Sequence, residues 1–177
     1  MPKVMIGIPP FVIELSVEDI KQLGEVIWHV IEDKDFQGYY HIIAKHSNKC
    51  LDVAEWGKED GTNVFQYSLN GGDNQQWILV RTNDGYYHIF AKHSGKCLDV
   101  AGQSKDDRAN VWQWSFNRGD NQKWKLKRTK DGYFHIIAKH SCKCLDVDSA
   151  SLEDRANVFQ YPLHGGDNQK WKLLPVR

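Results

Sequence analysis

CLDVAEWGKEDGTNVFQYSLNGGDNQQW, residues 50–77, is a pattern that occurs three times in this chain of 177 residues. An acid follows Cys-Leu, an aromatic residue comes fifteen positions after the acid, and Asn-Gln-x-Trp completes the pattern. The copies recur every 47 residues, in segments that begin GYYHIIAKHSNKCLDV, GYYHIFAKHSGKCLDV and GYFHIIAKHSCKCLDV. Self-similarity at a fixed period indicates one supersecondary unit used three times, so the architecture follows from that unit.

Each unit is predicted to consist of β-strands. Runs rich in aromatic and β-branched residues predict four strands, which in the first repeat cover 40–45, 50–53, 63–67 and 76–80. Clusters of Gly, Asn, Asp and Ser separate these runs as turns. Alternation along the strands predicts which side chains face inward. This inward set is Tyr40, Ile42, Ala44, Leu51, Val53, Val64, Gln66 and Trp77, in which Gln66 needs a buried partner.

Three copies of four strands give about twelve strands, whose edges must be protected. A propeller usually needs about four blades or more, and a stacked solenoid needs atypical capping repeats. Closing three units about an axis into a small barrel with a hairpin cap removes the open edges. We therefore predict an all-β fold, a pseudo-threefold β-trefoil over residues 38–177, with repeats 38–84, 85–131 and 132–177.

At CLDV…VFQY…GGDNQQW and its two copies, the sequence resembles the ricin B-chain-like (R-type) lectins, β-trefoil proteins with QxW repeats. The resemblance covers residues 38–177, and it is specific because three Gln-x-Trp motifs lie in register, each preceded by Cys-Leu-Asp-Val. It implies a lectin that binds galactose or N-acetylgalactosamine-type sugars through up to three equivalent sites, one in each repeat.

The resemblance also implies which residues bind the sugar: an acid, a stacking aromatic residue and an Asn-Gln pair in each repeat. By position these are Asp52, Tyr67, Asn74 and Gln75; Asp99, Trp114, Asn121 and Gln122; and Asp146, Tyr161, Asn168 and Gln169. Asn is expected to reach the sugar, and Gln to brace the fold in part. Several family members have a polar residue two positions before the aromatic, where this chain has the secondary contacts Phe65, Trp112 and Phe159, at the cost of a hydrogen bond.

These residue types suit a pyranose, which has vicinal hydroxyls on its rim and C–H groups on one face. A carboxylate accepts from the hydroxyls and an aromatic ring covers the C–H face. One shallow site should bind with a Kd of roughly 1 mM, about 4 kcal/mol, and three sites on one body can raise the apparent affinity for a clustered glycan by roughly 10²–10⁴. The competing interpretations are that the acids brace turns through backbone amides and that the aromatic residues cover loops.

Other functional classes are disfavoured. Lys and Arg number 23 and Asp and Glu also number 23, so no net charge attracts nucleic acid or an anionic membrane. No apolar run reaches the roughly 20 residues of a membrane span, so membrane insertion is not expected. No motif places a catalytic pair of acids, so we expect no catalytic residues and a protein that is not an enzyme.

Six recurring histidines invite a metal-site hypothesis. They are His41, His88 and His135, which by alternation face away from the barrel interior, and His46, His93 and His140, which lie at turns. We therefore expect no metal site and no cofactor. Trp77, Trp124 and Trp171 are interpreted as core residues with no role in ligand binding.

The cysteines give no disulfide framework. Cys50, Cys97 and Cys144 recur with the repeat, and Cys142 is too near Cys144 in the chain to bridge easily. The resemblance implies that secreted members often pair the recurring position with a second Cys shortly after the aromatic residue, where this chain has Leu69, Phe116 and Leu163. Since no signal peptide is recognisable, we expect a cytoplasmic protein or one released without a signal peptide.

Residues 1–37 lie outside the repeats, and SVEDIKQLGEVIWHVIEDK, residues 16–34, predicts an amphipathic α-helix that begins with a capping box at Ser16 and Asp19. Its apolar stripe would pack on the trefoil, form a homodimer or dock a partner subunit. The alternative function is a β-trefoil that binds a protein through its loops, as an inhibitor or as a targeting or assembly subunit of a toxin or glycosidase.

Overall fold

The computed structural model describes residues 3–6, 13–16 and 36–177. The first two segments form an antiparallel pair, β1 (Lys3–Ile6) and β2 (Ile13–Ser16), which the sequence analysis did not predict. Ser16, the predicted helix cap, ends β2, and the rest of the predicted helix, residues 17–34, lies outside the described residues. None of the helical segments in the part of the chain that the structure describes has the length and hydropathy of a membrane span.

Residues 38–177 form three sets of four strands, which confirms the predicted β-trefoil. The first set is β3 (Tyr39–Ala44), β4 (Cys50–Val53), β5 (Val64–Tyr67) and β6 (Trp77–Arg81). The second is β7 (Tyr87–Ala91), β8 (Cys97–Val100), β9 (Val111–Trp114) and β10 (Trp124–Arg128). The third is β11 (Phe134–Ala138), β12 (Cys144–Val147), β13 (Val158–Tyr161) and β14 (Trp171–Pro175). The strand bounds predicted for the first repeat agree with these to within about one residue because turn residues limit each strand.

The first and last strands of every repeat form the barrel. β3 pairs with β6 and β14, β7 with β6 and β10, and β11 with β10 and β14, so the circuit of strands closes on itself. The other two strands of each repeat form an antiparallel hairpin, β4–β5, β8–β9 or β12–β13, that joins the barrel through its first strand. Closure leaves no open edge in the barrel, which is the reason the sequence favoured this fold.

The core follows the alternation of the strands. All eight residues of the predicted inward set are buried, and Trp77, Trp124 and Trp171 are completely inaccessible. The indole N–H of Trp77 donates to the carbonyl of Leu51 at 3.0 Å, which satisfies its polar group in the core. Buried Gln66 has the partners it requires, because it donates to the carbonyl of Ser151 at 2.7 Å and accepts from Ser47 Oγ at 2.7 Å.

Phe36 closes one end of the core. Its ring makes edge-to-face contacts with Tyr40, Tyr87 and Phe134, which occupy equivalent positions in the three repeats, at centroid distances of 5.9, 5.5 and 6.0 Å. A residue that meets the same position of every repeat lies close to the pseudo-threefold axis. Phe36 belongs to the predicted N-terminal extension, so at least this part of the extension packs on the trefoil.

Three asparagines join the repeats where the hairpins meet. Asn63 Nδ2 donates to Asn157 Oδ1 at 2.9 Å, Asn157 Nδ2 to Asn110 Oδ1 at 2.9 Å, and Asn110 Nδ2 to Asn63 Oδ1 at 2.8 Å. We call this closed circuit the asparagine ring. Each amide in the ring therefore donates to one of the other two repeats and accepts from the remaining one.

Candidate functional site

The three predicted acids lie on the outer face of the hairpins, at the third position of β4, β8 and β12. Leu51 and Val53 point into the core, so the alternation of β4 turns Asp52 outward, and the ladder places it opposite Phe65. The same register places Asp99 opposite Trp112 and Asp146 opposite Phe159. Although they face outward, Asp52, Asp99 and Asp146 are only 3%, 2% and 2% exposed, because the Asn-Gln segment covers them.

A short 3₁₀ turn brings the amide pair to the acid in each repeat. These turns are Asp73–Gln75, Asp120–Gln122 and Asp167–Gln169. In the first, Asn74 Nδ2 donates to Asp52 Oδ1 at 2.9 Å and Gln75 Nε2 donates to Asp52 Oδ2 at 2.7 Å. Asp52 therefore holds this turn through side-chain amides, and not through the backbone amides that the competing interpretation assumes.

The glutamine of each pair also fixes the loop before it. Gln75 Nε2 donates to the Ser68 carbonyl at 3.0 Å, and Gln75 Oε1 accepts from the Asn70 backbone N–H at 2.9 Å. His41 holds the turn from beneath, since its Nδ1 lies 3.0 Å from the Gln75 carbonyl oxygen. Gln75 therefore braces the fold, while Asn74 Oδ1 has no hydrogen-bond partner in the described structure.

A glycine before each turn permits this close packing. A Cβ added to Gly72 would lie 2.5 Å from Asn74 Oδ1, and one added to Gly119 would lie 2.3 Å from Asn121 Oδ1. Both glycines have ordinary backbone angles, with φ of −64° and −62°. Space, and not backbone conformation, therefore requires glycine here.

Burial raises the pKa of all three acids. The pKa of Asp52 rises to about 6, because removal from water opposes ionisation more than the bonds from Gln75 and Asn74 favour it. The pKa values of Asp99 and Asp146 are raised for the same reason, against hydrogen bonds that lower them. The ionised form of each acid is thus held at a cost in solvation.

The predicted stacking residues Tyr67, Trp114 and Tyr161 end β5, β9 and β13 and are half-buried. Tyr67 lies opposite Cys50 in the ladder, which places its ring on the same face of the hairpin as Asp52 and diagonal to it. Each ring also contacts the aromatic residue two positions earlier, most closely for Trp112 and Trp114, which stack with centroids 5.1 Å apart.

The three secondary positions differ. Phe65 and Phe159 are buried, whereas Trp112 is half-buried and its indole N–H donates to Asp99 Oδ1 at 2.8 Å. In the second repeat the indole therefore gives its hydrogen bond to the acid of the predicted site. The cross-strand register of Asp99 and Trp112 is the physical reason.

Two further residues at these sites were missed by the sequence reasoning. His164 Nε2 lies 3.0 Å from Asp146 Oδ2, and its equivalents in the other repeats are Asn70 and Asn117. Trp56 is 52% exposed and its ring edge lies 2.7 Å from where a Gly72 Cβ would be; its equivalents are Gln103 and Ala150. The available signal was the departure of each residue from its two copies.

Histidines and cysteines have structural surroundings. His41, His88 and His135 face away from the central core but are buried against the 3₁₀ turns. Among the residues described, no group of three His, Cys, Asp or Glu is arranged to hold a metal ion. All four cysteines are free, and burial raises the pKa of the Cys50, Cys97 and Cys144 thiols.

Comparison with known proteins places this geometry in a family. The model of the ricin-type β-trefoil lectin domain-like family matches residues 27–114 and 120–177. The designed threefold-symmetric protein ThreeFoil is 54% identical, with a TM-score of 0.78 and a match over 79% of this chain and 100% of that one. The exo-β-1,3-galactanase 1,3Gal43A of Clostridium thermocellum is 38% identical, with a TM-score of 0.77 over 78% of this chain and 30% of the galactanase.

A lectin is also among the similar structures. The Rhizoctonia solani agglutinin is 25% identical, with a TM-score of 0.72 over 78% of this chain and 95% of the agglutinin. Two curated proteins match shorter stretches, which span 7% and 32% of their lengths. The similarity to these longer proteins therefore concerns one part of each.

Proposed function

The chain belongs to the ricin-type β-trefoil lectin domain-like family, and from this premise we propose that it is a non-enzymatic lectin that binds galactose-type sugars, including N-acetylgalactosamine, at up to three sites. The observation that carries the proposal is an outward acid, oriented by an Asn-Gln pair on the same face as an aromatic ring, in every repeat. The similarity to an exo-β-1,3-galactanase supports galactose as the sugar type.

The hydrogen bonds of Asp52 leave it able to accept more. Each carboxylate oxygen has two lone pairs, and the amides of Asn74 and Gln75 use one on each oxygen. Two neighbouring sugar hydroxyls would then donate to the remaining lone pairs, in bonds worth roughly 1.5–3 kcal/mol each before competition from water. The ring of Tyr67 would cover the C–H face of the sugar and contribute about 1 kcal/mol more.

Asn74 would complete the contact. Its Nδ2 is engaged by Asp52 and by the Val53 carbonyl at 3.1 Å, but its Oδ1 has no partner among the described residues. An unsatisfied buried acceptor is costly, and a sugar hydroxyl that donates to it would remove that cost. We therefore assign Asn74 and its equivalents Asn121 and Asn168 to sugar contact, and the glutamines to bracing.

Isothermal titration with galactose, N-acetylgalactosamine and glucose tests the proposal. We expect binding of the two galactose-type sugars near the millimolar range, and its loss in the triple variant Asp52→Asn, Asp99→Asn and Asp146→Asn. The control triple variant changes exposed acids outside the sites, Asp106→Asn, Asp107→Asn and Glu153→Gln, and should bind as the parent does.

Circular dichroism would establish that both triple variants are folded. If the parent protein gives no heat with any of the sugars, or if the site variant binds as well as the control, the assignment as a galactose-type lectin is wrong. A folded site variant that retains a protein partner would instead favour the protein-binding alternative.

A further inference from the structure

The three acids do not have the same number of hydrogen-bond donors. Within the described part of the chain, Asp52 accepts from two side chains, the amides of Asn74 and Gln75. Asp99 accepts from the corresponding amides, both on Oδ2 at 2.9 and 2.8 Å, and also from the Trp112 indole on Oδ1 at 2.8 Å. Asp146 also has a third neighbour, because His164 Nε2 lies 3.0 Å from its Oδ2. Two of the three acids thus have a third hydrogen-bond neighbour.

A third neighbour competes with a ligand for the carboxylate. Trp112 is half-buried and held in place by the stacked ring of Trp114, so its indole N–H occupies an acceptor position that a sugar hydroxyl would need. His164 is fixed from the other side, since its Nδ1 lies 3.1 Å from the Gly166 backbone N–H. To use these acids fully, a sugar must displace a bond that already exists.

The first repeat has a different neighbour. Trp56 packs against Gly72: a Cβ added to this glycine would lie 2.7 Å from the edge of the Trp56 ring. A Cβ added to the equivalent Gly166 would lie 2.7 Å from the ring of His164. In the first repeat Asn70 takes the place of His164 and accepts from the Gly72 N–H at 2.8 Å, and Trp56 lies beside it as an additional, exposed aromatic surface.

The backbone at Trp56 follows a turn that all three repeats share. Its φ is +57°, and the equivalent Gln103 and Ala150 have φ of +55° and +49°, so the repeated turn sets this conformation whatever the side chain. What distinguishes the first repeat is the exposed aromatic ring that this turn presents. The ring of His93, edge-on at a centroid distance of 6.1 Å, holds the Trp56 ring from a neighbouring repeat.

From these contacts we infer that the three sites are unequal: the first repeat holds the principal sugar site, with Trp56 as an added aromatic contact, and Trp112 and His164 lower the affinity of the other two. The inference rests on the proposed function and concerns the ranking of its sites. Trp56, Trp112 and His164 are then the residues that determine which repeat binds the sugar most tightly.

Single substitutions compared by titration with galactose test the ranking. Asp52→Asn should weaken binding about tenfold or more, the effect of losing a charged hydrogen bond, while Asp99→Asn and Asp146→Asn should change it by about twofold or less. Trp56→Ala should weaken binding by about fivefold, in line with the loss of one aromatic contact. Asp107→Asn, outside the sites, is the matched control.

Two exchanges use residues that this chain already accepts at the equivalent position. Trp112→Phe copies Phe65, and His164→Asn copies Asn70. Each should strengthen its own site, so that the titration of the double variant fits more sites per chain than that of the parent. These variants retain all three acids, so they test the ranking even if one of the Asp→Asn variants fails to fold.

The outcomes separate this inference from the proposed function. Binding by the parent with equal losses for the three single acid variants, or with the largest loss for Asp99→Asn or Asp146→Asn, overturns the ranking and leaves the lectin assignment intact. Unchanged site number in the double exchange also overturns it. The absence of binding to any galactose-type sugar overturns the proposed function and the ranking together.

Discussion

Replacing Gln75 with Met should destabilise the protein far more than the same replacement at the adjacent Gln76. Gln75 is completely buried and Gln76 is 5% exposed, so both changes remove an amide from a buried position and preserve its approximate length. Gln75 Nε2 bonds the Asp52 carboxylate and the Ser68 carbonyl, and its Oε1 accepts from the Asn70 N–H. Gln76 makes two bonds, to the Gly71 carbonyl and from the Lys92 ammonium.

The expected magnitude follows from these partners. The bond to the carboxylate is worth roughly 1.5–3 kcal/mol and each of the two bonds to the main chain roughly 0.5–1.5 kcal/mol. Gln75→Met should therefore lower the free energy of unfolding by about 2.5–6 kcal/mol, a large share of a typical total of about 5–15 kcal/mol. Gln76→Met should cost about 1 kcal/mol, because its bonds are near the surface and Lys occupies the equivalent positions 123 and 170.

Urea denaturation followed by tryptophan fluorescence measures both values. The dependence of the unfolding free energy on urea should stay the same, since neither change alters the surface exposed on unfolding. Gln75→Met should also abolish sugar binding at the first site. Equal destabilisation by the two substitutions would refute the reasoning that Gln75 is the brace of the turn.

Three further predictions concern other parts of the structure. Phe36→Ala removes a ring that contacts all three repeats and should lower the free energy of unfolding by about 2–4 kcal/mol; an unchanged urea midpoint would contradict its role in closing the core. Gly119→Ala should destabilise the protein and weaken sugar binding in the second repeat, because the added methyl would displace Asn121; denaturation and titration together measure this, and an unaffected protein would show that the turn adapts. Lowering the pH from 7 to 5 should weaken sugar binding in the first repeat, since burial, with a smaller contribution from the nearby charges of Glu55 and Asp154, raises the pKa of Asp52 to about 6. Titration of the Asp52→Asn variant with sugar should show no such dependence on pH.

The same shift has an opposite effect on stability. The pKa of Asp52 in the folded protein is higher than the value of about 3.9 in an unfolded chain, so the folded state binds more protons between these values. The contribution of Asp52 to stability therefore increases as the pH falls through 6, while its capacity to bind sugar decreases. Strengthened binding at pH 5 would show that the ionised carboxylate is not the acceptor.

The repeated pattern was sufficient to predict the barrel and its core. Alternation alone identified Leu51 and Val53 as inward and Asp52 as outward, because each strand residue has only two faces to choose from. Turn residues limited the strands, and three equal units left few ways to protect the edges. Alternation and turn formation depend on residues that are close together in the chain, which is why they could be predicted from the sequence.

The sequence predicted which residues form the site, but not the hydrogen bonds between them. Position in the motif selected Asp99 and Asn121, but the bond from Trp112 depends on the register between β8 and β9, which the sequence does not state. Alternation turned His41 away from the core but did not show that a 3₁₀ turn covers it. Trp56 was overlooked because it breaks the repeat, and the reasoning relied on what the repeats share. The N-terminal boundary at residue 37 stays a prediction.

The asparagine ring has a sense of direction. Every amide donates to the same side and accepts from the other, so the circuit has two self-consistent settings, one clockwise and one anticlockwise. Turning a single amide would set donor against donor at one junction and acceptor against acceptor at the next. The three amides can therefore reverse only together. A substitution at Asn63 removes one hydrogen bond to each of the other two repeats, although their asparagines are far from Asn63 in the chain.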